Sequence, residues 1–101
     1  AMAHGNLGFI HLERKEFSEA LEHLLQATTI DSANGYYFLG LGSALVAFNR
    51  LEEARTALAK SIELTPMEIG YILLAELTDR LGDHEKAKML REEALKVKVL
   101  D

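Results

Sequence analysis

The sequence predicts an all-α fold made of three successive helix pairs. Apolar residues recur three and four apart over most of the chain, and no sustained two-residue alternation marks a strand. Proline occurs once, at Pro66, and the polar breaks between periodic segments are short enough to fold neighbours back antiparallel. The chain is also self-similar. Displacing it by 34 residues sets Leu7-Gly8 on Leu41-Gly42, Glu19-Ala20 on Glu53-Ala54 and Leu24 on Leu58. A further 33 sets Leu41 on Leu74, Gly42 on Ala75, Ala54 on Ala87 and Ser61 on Ala94.

The elements follow in order. HGNLGFIHLER is the first helix, with Leu7 turned toward its partner, and KEF breaks it from SEALEHLLQATTI. DSAN leads to YYFLGLGSALVAF, whose Phe38, Leu41 and Leu45 face the next helix, and NR leads to LEEARTALAKSIEL. TPM separates EIGYILLAELTDRL, with Tyr71 and Leu74 inward, and GD precedes HEKAKMLREEALKV. Each segment has ordinary helix length.

Glycine inside a helix costs about 1 kcal/mol relative to alanine, so Gly8 and Gly42 need an offsetting gain. With Ala75 they mark one repeat position where a neighbouring helix is expected to approach closely, against Ala20, Ala54 and Ala87. Gly40 has no counterpart, since Asn6 and Leu73 take its place, and extra room on the inner surface is the one role the sequence suggests for it. GLGSAL is not a dinucleotide loop, because no strand precedes it and the third small residue of that fingerprint is missing.

Composition narrows the function. The chain has 101 residues, enough for one domain, and 49% of them are apolar. A formal charge of -5 argues against nucleic acid and against anionic membrane surfaces, leaving neutral or basic protein partners. The absence of cysteine excludes disulfides and thiolate chemistry. No apolar run approaches the roughly 18–20 residues of a membrane helix, so no membrane insertion is expected. No signal peptide is visible, and Ala1-Met2 reads as a cloning remnant, so the chain is expected to be a fragment of a longer protein.

The recurring residues resemble the tetratricopeptide repeat. They run Leu7, Gly8, Phe17, Ala20, Leu24, Ala27; then Leu41, Gly42, Leu51, Ala54, Leu58, Ser61, Pro66; then Leu74, Ala75, Gly82, His84, Ala87, Ala94. The resemblance covers essentially the whole chain as one domain, 1–101, with repeats at about 1–34, 35–67 and 68–101. It implies a right-handed α-α superhelix, a solenoid of three helix-turn-helix units that works as a non-enzymatic interaction scaffold. The departures are His4 and His11 in place of aromatics, Lys15 in place of a turn glycine and Arg91 in place of a large apolar residue.

A second apolar stripe runs along the first helix of each pair. It comprises Met2, Phe9 and Leu12, then Tyr36, Leu39 and Val46, then Ile69 and Ile72. The resemblance implies that this face lines the concave side of the superhelix, where an apolar or amphipathic peptide segment docks. Glu13, Glu76 and Asp79 lie near it, which suits a basic residue in the ligand. The carboxylate clamp of heat-shock cochaperones is absent, since the matching positions are Gly5, Phe9, Gly40, Ile69 and Leu73, none of which donates a side-chain hydrogen bond. YYFLGLGSAL is also similar to the middle repeat of type III secretion translocator chaperones.

No catalytic group, cofactor or metal is expected. His4 and His11 can share a helix face, but no carboxylate stands at a chelating spacing beside them. The glutamate pairs of LEEA and REEA splay apart instead of facing across a cleft, and Lys88, Glu92 and Lys96 read as surface pairs four apart. Met89, Leu90, Leu95, Val97, Val99 and Leu100 make the last helix more apolar than a solvent-facing cap. Three functions follow: peptide capture on the concave stripe, self-association as a homo-oligomer, or secretion chaperoning.

Overall fold

The computed structural model describes the backbone of residues 2–100 and the side chains of residues 3–98. Six helices run in order: α1 (Met2–Glu13), α2 (Phe17–Ile30), α3 (Gly35–Ala47), α4 (Leu51–Leu64), α5 (Glu68–Arg80) and α6 (His84–Leu100). No strand occurs among the described residues. The tightest packing is within α1–α2, α3–α4 and α5–α6. Successive pairs join through α2–α3 and α4–α5, and α1 also touches α3. The chain is therefore a linear stack of hairpins, and the stripe of α1, α3 and α5 is not sealed inside a closed bundle.

The three turns inside the pairs are alike. In each, one residue adopts a left-handed backbone: Lys15 (φ 60), Asn49 (φ 58) and Gly82 (φ 92). In each, the following N–H reaches back five residues. Glu16 N–H donates to His11 C=O at 2.8 Å, Arg50 to Leu45 at 3.0 Å and Asp83 to Thr78 at 2.9 Å. The left-handed residue itself donates to Leu12, Val46 or Asp79. This is the Schellman termination of a helix, and it lets a short link reverse the chain. Between pairs, Asn34 caps α3, its Oδ1 accepting from the N–H groups of Tyr36 (3.0 Å) and Tyr37 (3.3 Å).

Packing explains the small residues. A Cβ on Gly8 would lie 2.6 Å from Leu24 Cγ, and one on Gly42 2.7 Å from Leu58. Leu24 and Leu58 are fully buried, so neither has space to yield. The close approach expected at this position is present, but its partner surface is mainly the leucine one turn along from the expected alanine. Ala54 contributes only its carbonyl, 3.5 Å away. Ala20, Ala54 and Ala87 are themselves completely buried. Gly40 now has a partner too, since a Cβ there would meet Phe9 Cε1 at 2.8 Å, and Gly5 lies under the Tyr37 ring. Helices α1 and α3 thus interlock ring over glycine in both directions. Ser61 ties the second pair together, its hydroxyl donating to the Gly35 carbonyl at 2.7 Å in the interior.

Two expectations need correction. Leu7 is 42% exposed, because the face that covers Leu41 in the second pair, α2 of the preceding hairpin, has no counterpart before α1 among the described residues. Lys96 pairs with Glu93 at 3.0 Å and not with Glu92, three residues being as near as four on a helix surface. As expected of its composition, α6 carries apolar surface in the open: Leu90 is buried, whereas Met89 and Leu95 are exposed about a third of a turn apart. The side chains of Val99 and Leu100 lie outside the described residues.

Candidate functional site

The predicted concave residues divide into three groups. Tyr36 from α3 and Ile69 and Ile72 from α5 converge on one hollow of about 410 Å³, with Met67 and Glu68 at its edge. Tyr36 is 55% exposed and Ile69 49%, so apolar surface is open there. Val46 and Glu76 share a second hollow of about 180 Å³ with Ser43, Leu73 and Arg80. The remaining apolar members are half-buried. Phe9 packs over Gly40, Leu12 lies against the core, and Leu39 reaches toward the α5 backbone at Gly70. The side chain of Met2 lies outside the described residues.

The acidic members differ in availability. Glu13 and Glu76 are exposed. Asp79 is engaged by Arg91 of α6 and by His84, whose Nδ1 lies 2.9 Å from Asp79 Oδ1. The hydrogen bond from Arg91, followed by that from His84, holds the Asp79 carboxyl below the ordinary aspartate range. Arg91 takes the place of the buried Leu24 and Leu58 in the earlier pairs and points outward to make this contact.

Two constellations lie beyond the sequence reading. On the outer side, between α2 and α4, a hollow of about 490 Å³ is floored by Phe38, Leu41 and Leu45 and walled by Leu21, Leu25 and Ala57. Its sequence signal was the pair Leu21 and Leu25, whose counterparts are Arg55 and Ala59 in α4. At the first turn, His11, Glu16 and Glu19 bring one ligand atom each within 4.8 Å of one another, which corrects the expectation that no carboxylate chelates beside His11. Glu16 is five residues from His11 across a turn, a spacing that helix periodicity does not reveal.

No helix among the described residues is long and apolar enough to cross a membrane. A stack of helical hairpins with an open apolar inner face defines a helical-repeat interaction module. The tetratricopeptide repeat model matches residues 2–34 and 36–66, and the chain belongs to that family. It is 29% identical over 93 residues to Protein STIP1 homolog of Dictyostelium discoideum, a match covering 91% of this chain and 16% of that protein. Among solved structures, MamA 41-end from Desulfovibrio magneticus RS-1 aligns at a TM-score of 0.92 with 23% identity, over 99% of this chain and 57% of that one. The Sgt2 TPR domain from Aspergillus fumigatus aligns at 0.86 with 23% identity, over 95% and 64%. These neighbours establish the expected α-α solenoid. The chain spans about a sixth of the length of the curated relatives it matches (16% of each).

Proposed function

We propose that the chain captures an apolar or amphipathic peptide segment on its concave face. Tetratricopeptide modules are typically protein-interaction scaffolds, and the observation that carries the finer reading is the convergence of Tyr36, Ile69 and Ile72 on one open hollow. Contiguous exposed apolar surface of this kind is what a docking segment covers. Glu68 at its edge and the exposed Glu76 farther along α5 favour a basic residue beside the apolar anchors. Neither carries the job of a catalyst in this reading; both steer and orient a ligand.

The test is selection of peptides from a displayed library on the intact chain, followed by rebinding to variants. Tyr36→Glu with Ile69→Glu alters only half-exposed side chains and leaves the helices intact by circular dichroism. It is expected to lower affinity at least ~10-fold, whereas Leu25→Glu on the outer hollow leaves affinity unchanged. The opposite pattern would move the site to the outer side. Secretion chaperoning would use the same groove with a secreted client. Self-association is the weaker alternative, because Met89 and Leu95 of α6 are exposed in different directions.

A further inference from the structure

We propose that the turn between α1 and α2 is a binding site for a divalent transition cation of the zinc class, held by His11, Glu16 and Glu19. The three side chains already place one ligand atom each within 4.8 Å of the others. His11 Nδ1 and Glu16 Oε1 are 3.3 Å apart. A tetrahedral ion with bonds of about 2.0–2.1 Å holds its ligand atoms roughly 3.3 Å from one another, so that pair stands at a metal's bite distance. Glu19 closes the remainder by rotation of an exposed side chain. Mixed imidazole and carboxylate donors select a borderline cation over calcium or magnesium, which take oxygen alone.

The backbone that carries these ligands is fixed before any ion arrives. Glu16 N–H donates to His11 C=O at 2.8 Å, and Ala20 N–H donates to Glu16 C=O at 3.0 Å. His23 lies one turn beyond Glu19, its ring stacked at 5° and 5.5 Å on that of His11, which limits the orientations His11 can take. His23 in turn bonds His4, Nδ1 to Nδ1, at 3.1 Å.

The second repeat provides an internal comparison. Its residues at the places of Glu16 and Glu19 are Arg50 and Glu53, which form an ion pair at 2.6 Å. The same turn geometry there joins opposite charges. In the first repeat it brings two carboxylates together beside an imidazole where Leu45 stands in the second. A dication offsets that like-charge pair as Arg50 offsets Glu53.

The experiment is calorimetric titration of zinc chloride into the chelator-treated full chain at pH 7, with thermal unfolding in parallel. One zinc per chain is expected, with a rise in Tm as binding to the folded state is linked to folding. Glu16→Arg copies the ion pair of the second repeat and keeps the turn, and it is expected to weaken binding at least ~10-fold, as is Glu19→Gln. His84→Gln, in the third repeat, leaves affinity unchanged. Failure to saturate at millimolar zinc overturns the proposal, as does affinity unaltered by Glu16→Arg. Binding lost on His4→Gln but kept in Glu19→Gln overturns it as well, placing the ion on the His4–His23 pair.

Discussion

The outer face of the first hairpin and the matching face of the second carry the same repeat positions with opposite fates. Leu41 is 7% exposed and Leu74 2%, whereas Leu7 is 42% exposed. Beside Leu41 stand Phe38, Leu45 and Ala57; the corresponding residues of the first hairpin are His4, His11 and His23, whose rings stack on one another. In a stacked array, burial is a property of the neighbouring hairpin as much as of the residue. The comparison breaks if the two leucines contribute equally to stability. Leu41→Ala is expected to destabilise by about 3 kcal/mol, as deletion of a buried leucine does, and Leu7→Ala by less than about 1. Urea unfolding of both variants measures the contrast, and equal losses would mean that the Leu7 face is covered in solution.

The helix crossings sharpen the same contrast. Gly42→Leu places a side chain where even a Cβ would lie 2.7 Å from the buried Leu58, and it is expected to cost about 2–3 kcal/mol. The third pair has Ala75 at this position and Arg91, turned outward, in place of Leu58, so its crossing is built differently. Unchanged thermal stability in Gly42→Leu would show that α3 and α4 separate readily, and would remove the packing reason for a mid-helix glycine.

Much of this was legible in the sequence because it is periodic. The six helices, the close approach at Gly8 and Gly42 and the convergence of Tyr36 with Ile69 and Ile72 all follow from residues that recur three, four or about 34 apart. What was not legible depends on partners without a fixed spacing. Gly40 has no counterpart in the other repeats, and the ring that fills the space above it, Phe9, lies on another hairpin. Leu7 has the pattern of Leu41 but not its neighbour. His11 and Glu16 meet only because a left-handed residue turns the chain between them. Within the predicted stripe, periodicity groups the residues on one side of each helix but does not say which members stay open. Phe9 settles over Gly40 and Leu39 packs against the core, while Tyr36 and Ile69 stand clear.

The three left-handed turn residues offer a comparison at constant backbone. Lys15 and Asn49 adopt the φ that Gly82 adopts, and a side chain there carries strain that glycine avoids. Lys15→Gly is expected to stabilise by about 1 kcal/mol, less for Asn49→Gly because asparagine tolerates this region. Gly82→Ala is expected to lose about 1 kcal/mol although nothing lies within 4 Å of the added Cβ, so its loss reports backbone strain alone. Thermal unfolding of the three variants checks the order, and a neutral Gly82→Ala would mean that the turn relaxes.

The smallest expected effect separates the third hairpin from the others by pH. Arg91, and after it His84, hold the Asp79 carboxyl below its ordinary value, a feature with no counterpart at Leu12 or Val46. The folded chain therefore binds that proton less readily than the unfolded chain does. The resulting stabilisation is fully present above the unfolded aspartate value near ~3.9 and is lost as pH falls through the depressed folded value. Asp79→Asn should lower Tm at pH 7, with the difference from the parent chain vanishing at the acid end. Arg91→Leu should shrink the acid dependence to the part that His84 supports, while restoring the apolar residue found in the first two pairs. A difference that persists undiminished well below pH 3 would assign Asp79 a role in packing and not in charge.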